Sequence, residues 1–490
     1  MKKLVLGIIV GCMSFGSMAQ QKIEFVEYDL PNGIHVILHQ EKSTPIVAVS
    51  VLYHVGSKNE KPDRTGFAHF FEHLLFEGSK NIGRGEYSEY VEKNGGALNA
   101  NTSMDRTFYF ELLPSNQLEL GLWLESERML HAKVDSVGIE TQRSVVKEEK
   151  RQRVDNQPYA TFIKELFDRL FPNSTYGWQP IGSMEHLDAA QEEDYVNFYQ
   201  TFYVPSNATL SIAGDIDIEQ TKKWIDKYFK AIPKGQAINL YRDYLSLKDD
   251  KFKTKYGVEK SIFDSKDFFA SKNAKAKALI AEYSNKPTSI ERPAKPSQKP
   301  NNAEVVTVYD NIQLPALFVG YVLPEQRNED MYALEFLNSV LSGSSSSRIN
   351  KDVVEKKQLA SMAFSFAYGL ENAGAEIIAA IAQKDVKLDA ILAEIDAQIE
   401  KVQNELITQE EFERVRNQFE NQAISSYSTI SGISEALADA HVYRGSANYV
   451  NVELEKYMKV TREDIQRVAK KYFTKDARVI LHYLPKEESK

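Results

Sequence analysis

The chain has 490 residues, 42% hydrophobic and 26% charged, with 60 Lys+Arg against 69 Asp+Glu for a net charge of −9. At roughly 100–200 residues per domain, this length accommodates two to four domains, and the composition excludes a disulfide scaffold, a collagen-like repeat and wholesale disorder. A mildly acidic surface offers no electrostatic footprint for nucleic acid, and one Cys beside nine His leaves imidazole and carboxylate as the strong metal donors.

Residues 1–19 have signal-peptide anatomy: Lys2 and Lys3, a short apolar run, then Ser17 and Ala19 at the −3 and −1 positions of a cut after Ala19. That run is too short to span a bilayer, and nothing later reaches about 18 uninterrupted apolar residues, so no transmembrane segment is expected. The reading is an exported, soluble protein, most simply periplasmic. Ile9-Val10-Gly11-Cys12 offers lipoprotein anchoring through Cys12 as the alternative.

A strand is predicted over residues 46–53, followed by a polar turn and a helix ending near Phe76-Glu77-Gly78-Ser79. Within that helix, His69 and His73 stand four apart and leave one face, so both imidazoles can reach one metal. Glu72 precedes the second His and lies close enough to take a proton from water on that metal. This is HxxEH, the inverse of HExxH. His35 and His39 are also four apart, but they fall in a predicted strand, where that spacing separates them. The remaining His residues, His54, His131, His186, His441 and His482, show no ligand spacing.

Further on come Asn94-Gly95-Gly96-Ala97-Leu98-Asn99-Ala100-Asn101-Thr102 and a predicted helix containing Val145-Val146-Lys147-Glu148-Glu149. With the HxxEH string, these resemble the pitrilysin/insulinase zinc metallopeptidases, which include the mitochondrial processing peptidase. The resemblance runs from about Ile23 to Leu484 and is strongest for the bacterial, two-domain, processing-peptidase-like members. It implies one Zn2+ per chain on His69, His73 and Glu148, the last lying 75 positions after His73. It also implies Glu72 as general base and Ala97, Leu98, Asn99, Ala100 and Asn101 as an edge strand that takes the substrate peptide as an extra strand. The family often places another Glu seven residues before its third ligand. That position here is Thr141, with Glu140 one place off, and these are the candidates to orient the site.

From Lys248 to Pro300 the chain changes character, with 13 Lys/Arg against 7 Asp/Glu and a Pro/Lys/Ser-rich second part. Residues 245–302 therefore read as an insertion and linker with a short helix over 274–283. Beyond it the first block recurs: a strand at 314–321, a turn at 325–330, and a helix ending in Leu341-Ser342-Gly343-Ser344. Helices at 220–228 and 462–472, with strands at 208–213 and 478–484, close the two blocks. The fold class expected is α+β, with two related domains, each a mostly antiparallel sheet with helices packed on it, as in the processing peptidases. The divisions are a signal peptide (1–19), a zinc-binding catalytic domain (20–244), the insertion (245–302) and a related domain without metal (303–490).

Aligning Gly343-Ser344 with Gly78-Ser79 sets Leu334, Leu337 and Asn338 opposite His69, Glu72 and His73, so no second metal site is expected. Active relatives use an Arg and a Tyr from this half to hold substrate and stabilise the oxyanion. Val354 and Ser361 occupy those positions here. The resemblance therefore implies the zinc-bearing subunit of a heterodimer whose related partner keeps Arg and Tyr. The alternatives are a homodimer in which Arg348 or another donor substitutes, and a non-catalytic scaffold of the same fold.

Overall fold

The computed structural model describes residues 22–297 and 302–486. The expected signal peptide, residues 1–19, and Cys12 within it lie outside the described residues. Two sheets organise the chain. The first contains β1 (Val26–Asp29), β2 (His35–Gln40), β3 (Ile46–Tyr53), β4 (Ala97–Thr102), β5 (Thr107–Pro114) and β6 (Ala208–Gly214), in the order β1-β2-β6-β3-β5-β4. The second contains β7 (Glu304–Asp310), β8 (Ala316–Leu323), β9 (Ala360–Gly369), β10 (Gly374–Ala382) and β11 (Arg478–Pro485), in the order β7-β11-β8-β10-β9.

From β2 onward the two orders are the same. β2 with β6 and β7 with β11 are the parallel pairs, and every other pairing is antiparallel. The fold is therefore α+β with two related halves, and the repeat seen between residues 46–53 and 314–321 is the pair β3 and β8. One equivalence changes. The helix leading into β11 is Arg462–Tyr472, and the helix leading into β6 is Glu192–Phe202; Ile218–Phe229 follows its strand instead. Topology thus pairs 462–472 with 192–202 and not with 220–228.

Period-two alternation decides what each sheet face buries. In β3, Val47, Val49, Val51 and Tyr53 face the main core under helices Phe67–Leu74, Leu118–His131 and Glu192–Phe202. Ala48 and Ser50 face the other way, toward helix Ile430–Arg444 from the second half. Small residues let that helix approach, and Ser434 exchanges hydrogen bonds with Ser211 at 2.8 and 3.0 Å while its Oγ lies 2.8 Å from Ser50 Oγ. The second sheet repeats the device. Leu317, Val319, Tyr321 and Leu323 enter its own core, whereas Ala316 and Phe318 meet helix Phe162–Leu170 from the first half. A Cβ at Gly320 would lie 2.9 Å from Leu170 and 3.0 Å from Leu166, so bare backbone permits the approach. Each half lends a helix to the other's sheet.

A buried ion cluster reinforces the contact between halves. Lys58 Nζ donates to Asp105 Oδ1 at 2.8 Å and to Glu371, while Tyr176 OH donates to Asp105 Oδ1 and the Glu371 N–H to Asp105 Oδ2.

A separate small core joins the end of the first half to the Lys-rich segment that follows it. Helices Ala237–Ser246, Asp249–Tyr256 and Ala274–Asn285 surround Leu240, Tyr241, Phe252, Phe263, Phe268 and Ala276. Tyr241 OH meets His131 Nε2 at 3.1 Å, and the Arg242 guanidinium donates to the carbonyls of Met129 and Tyr203. The extended part that follows is pinned by Arg292, which donates to His54 O and Asn207 Oδ1.

Candidate metal centre

The HxxEH sequence forms helix Phe67–Leu74, as its apolar spacing predicts, with Phe67, Phe70, Phe71 and Leu74 buried. The helix starts at Gly66 without a side-chain cap of its own. Glu60 serves instead, accepting from Gly66 N and Ala68 N at 2.8 Å each and from Trp178 Nε1 at 3.0 Å. Its carboxyl oxygens satisfy orphan N–H groups of the first turn, while burial pushes its pKa up to about 8.

His69 and His73 leave the inner face, with their rings 4.8 Å apart at 76° and their Nε2 atoms 3.4 Å apart. Glu149 completes a triangle: its Oε2 is 3.4 Å from His69 Nε2 and 3.1 Å from His73 Nε2. Donors at about 2.0–2.1 Å from a tetrahedral zinc stand about 3.3 Å from one another, which matches all three edges. Glu149 Oε2 is buried without a hydrogen-bond partner, and Arg153 holds Oε1 at 2.8 Å. Burial, with the neighbouring charge of His73 and Arg153, lowers the His69 pKa to about 3, keeping the imidazole in its neutral, ligating form. The donor set and its spacing fit zinc.

The expected third donor, Glu148, is corrected by this geometry. Its side chain is 54% exposed against 15% for Glu149, and it pairs along its own helix surface with Arg151 at 3.1 Å and Gln152 at 3.0 Å. Helix Ser136–Lys150 buries Ile139 and Val146, and Glu149 lies three residues beyond Val146 on that face, whereas Glu148 is turned about 100° away. The spacing from Ile139 to Val146 carried this signal in the sequence. Thr141 and Glu140 likewise do not face the imidazoles: Thr141 Oγ1 donates to Val137 O, and Glu140 pairs with Arg143 at 3.2 Å. Seven residues before Glu149 stands Gln142, on the inner face, with its Nε2 donating to Glu77 Oε1 at 2.6 Å.

Glu72 is half-buried beside the triangle, and burial raises its pKa. Thr102 Oγ1 donates to its Oε2 at 2.6 Å, a contact that sequence spacing alone could not supply. Thr102 ends β4, which pairs with β5 only and is an edge of the first sheet. Ala97, Asn99 and Asn101 are exposed along it, Leu98 is half-buried and Ala100 is buried.

A second donor group, Glu27, His35 and His441, gathers where β1 and β2 meet helix Ile430–Arg444. Its imidazoles stack in parallel at 3.5 Å and 5°, so no point near either nitrogen lies in both ring planes. Asp29 and Glu27 instead flank His35 Nδ1 and Nε2. This is a stacked imidazole pair flanked by carboxylates, unlike the 76° pair at His69 and His73.

In the second half, Leu334 and Leu337 are buried in the core and Asn338 Oδ1 accepts from Ser365 Oγ at 2.5 Å. Among the described residues no metal-donor group arises there. Val354 packs against that half's core, and Ser361 Oγ donates to Ile381 O at 3.2 Å. Arg348 is committed to Glu411 through two hydrogen bonds of 2.8 and 2.9 Å.

Comparison with known proteins agrees with this architecture. Residues 35–180 match the family described as Insulinase (Peptidase family M16), and residues 190–419 match the Peptidase M16 inactive domain. The chain belongs to the insulinase family. It is 28% identical to the zinc protease PqqE of Helicobacter pylori, over 91% of this chain and 89% of that protein. It is 27% identical to the mitochondrial-processing peptidase subunit beta of Blastocladiella emersonii, over 42% of this chain and 44% of that protein. The crystal structure of a protease from Helicobacter pylori superposes with a TM-score of 0.78 at 26% identity, covering 94% of this chain and 100% of that one. The periplasmic protease PqqL from Escherichia coli shares the fold at a TM-score of 0.67 and 17% identity, over 94% of this chain and 47% of that one.

Proposed function

We propose that this protein is an exported zinc metalloendopeptidase that cleaves peptides or unfolded segments, with His69, His73 and Glu149 holding one zinc ion and Glu72 as general base. The observation that carries this reading is the 3.1–3.4 Å triangle of donors next to a half-buried carboxylate. A zinc ion there supplies a Lewis acid for the scissile carbonyl and lowers the pKa of water toward neutrality. Glu72 takes the proton of the attacking water and passes it to the departing amine; its raised pKa suits both transfers. The free edge of β4, from Ala97 to Asn101, receives the substrate as an added strand, with backbone groups providing affinity and loose sequence preference.

In this reading residues 20–244 carry the chemistry, 245–302 form the insertion and 303–490 help to enclose the peptide, so that cleavage takes place inside a closed chamber. Val354 carries no donor, the Ser361 hydroxyl is taken by Ile381 O, and Arg348 is engaged by Glu411. These observations favour a heterodimer with a related subunit that contributes an Arg and a Tyr, over a homodimer. The signal-peptide anatomy supports export, as does the periplasmic setting named for PqqL. No described helix is long and apolar enough to cross a membrane.

Metal analysis and peptide cleavage by the purified chain, alone and with candidate partner subunits, test the reading. One zinc per chain and chelator-sensitive cleavage are expected. A chain without stoichiometric zinc would instead be a scaffold, a second reading favoured by the inactive-domain match and the absent Arg/Tyr pair.

A further inference from the structure

We infer that Thr102 is a positioning residue for Glu72, coupling the strand that receives substrate to the group that moves the proton; this rests on the peptidase reading above. The hydroxyl contact at 2.6 Å engages one carboxylate oxygen, Oε2, and leaves Oε1 to receive the proton from water. A charge-assisted hydrogen bond of this length fixes the carboxylate against rotation, so the base does not have to be oriented during the reaction.

The hydroxyl is itself held rigidly. Thr102 pairs with Thr107 at the closed end of the β4–β5 hairpin, where Ser103 N donates to Arg106 O at 2.8 Å and Ser103 Oγ accepts from Asp105 N and Arg106 N at 3.1 Å. The turn is pinned from outside as well, since Ser57 N and Lys58 N donate to Ser103 O and Met104 O. A Cβ at Gly56 would lie 2.5 Å from the backbone of Ser103 and Met104, so the two segments are in direct backbone contact. The same 57–60 segment supplies Glu60 to the start of the HxxEH helix. One bracket therefore places both ends of the Thr102–Glu72 bond, the hydroxyl through the hairpin and the carboxylate through the helix.

A peptide added along the free edge of β4 runs toward Thr102 and hence toward Glu72. The residue acts through Glu72 and need not touch the substrate. Thr102→Val removes the hydroxyl while keeping a β-branched side chain of similar shape, and Thr102→Ser keeps the hydroxyl. With wild-type partner composition and verified zinc content, the Val variant is expected to lose about 10- to 100-fold in kcat, the range of one charge-assisted hydrogen bond. KM, zinc content and thermal midpoint should stay near wild type, and the Ser variant should recover most of the kcat. A readout independent of turnover is the Kd for an intact fluorescent peptide, measured by anisotropy on a Glu72→Gln background with and without Thr102→Val; it should not change.

Wild-type kcat in the Val variant would overturn the inference. So would a loss confined to KM and peptide Kd, which would make Thr102 a strand-binding residue, or a loss that Ser fails to recover. If wild type neither holds zinc nor cleaves any peptide with any partner, the peptidase reading fails and this inference with it.

Discussion

Glu149 Oε2 lies 3.1 Å from His73 Nε2, while Glu148, its neighbour in the chain, pairs with Arg151 on the outer surface of the same helix. The two carboxylates differ only in which side of the helix they leave, so paired substitutions separate their roles. Glu149→Gln should lose stoichiometric zinc and cleavage together, because a metal site missing one of three protein donors is strongly weakened. Glu148→Gln should retain both. Zinc analysis after gel filtration decides, and a zinc-replete Glu149→Gln variant alongside a zinc-free Glu148→Gln variant would reverse the assignment.

Glu72 stands beside the donors without joining them. Glu72→Gln should therefore keep zinc and lose about 10²–10⁴-fold or more in kcat, the contribution of a positioned general base. Undiminished turnover by a zinc-loaded variant would remove Glu72 from the proton-transfer role.

Glu60 does not face the donor triangle, yet it satisfies two N–H groups at the start of the helix that carries His69 and His73. Glu60→Ala orphans those donors in a buried place, costing about 1–3 kcal/mol of stability. A lowered thermal midpoint with weakened zinc affinity in chelator competition is expected. Unchanged values in both would show that the cap contributes nothing.

Lys58 is 1% exposed and bridges Asp105 of the first half to Glu371 of the second. Lys58→Met leaves the buried Asp105 carboxylate without its cation, while half-buried Glu371 keeps His54 Nε2 at 2.6 Å; stranding one buried charge costs about 3 kcal/mol. Urea unfolding should shift to markedly lower denaturant. A midpoint equal to wild type would mean that the packed helices alone hold the halves together.

Glu411 supplies a pH dependence whose sign is fixed. Burial raises its pKa, but Arg348 and the N–H of Thr408 outweigh it and hold the carboxyl at about 2. A carboxyl depressed in the folded state stabilises the fold above its unfolded pKa, near 4.5, and that stabilisation is lost as pH falls toward 2. That stabilisation is on the order of 3 kcal/mol. Arg348→Met should flatten the fall in urea midpoint between pH 5 and pH 3. A slope identical to wild type would contradict the pairing.

Much of this protein is determined by short-range pattern. The i, i+4 spacing of His69 and His73 sets both imidazoles on one helix face wherever that helix packs. Alternation in residues 46–53 and 314–321 likewise marks the central strands β3 and β8, and through them the duplication. Both features depend only on the periods of helix and strand, so the family resemblance and the metal pair are legible from the chain alone.

What only the tertiary structure decides is which of several locally equivalent groups meets a distant partner. Glu148 and Glu149 have the same chemistry one position apart, and the choice follows from the burial of Ile139 and Val146, which turns Glu149 inward. Thr102 reaches Glu72 across 30 positions because the β4–β5 turn and the HxxEH helix are bracketed by the same 57–60 segment. The exchange of helices Phe162–Leu170 and Ile430–Arg444 between the halves, and the aromatic core that the Lys-rich segment builds with helix Ala237–Ser246, are decisions of the same kind. Local sequence sets which face a side chain leaves by; close packing of surfaces far apart in the chain sets what that face meets.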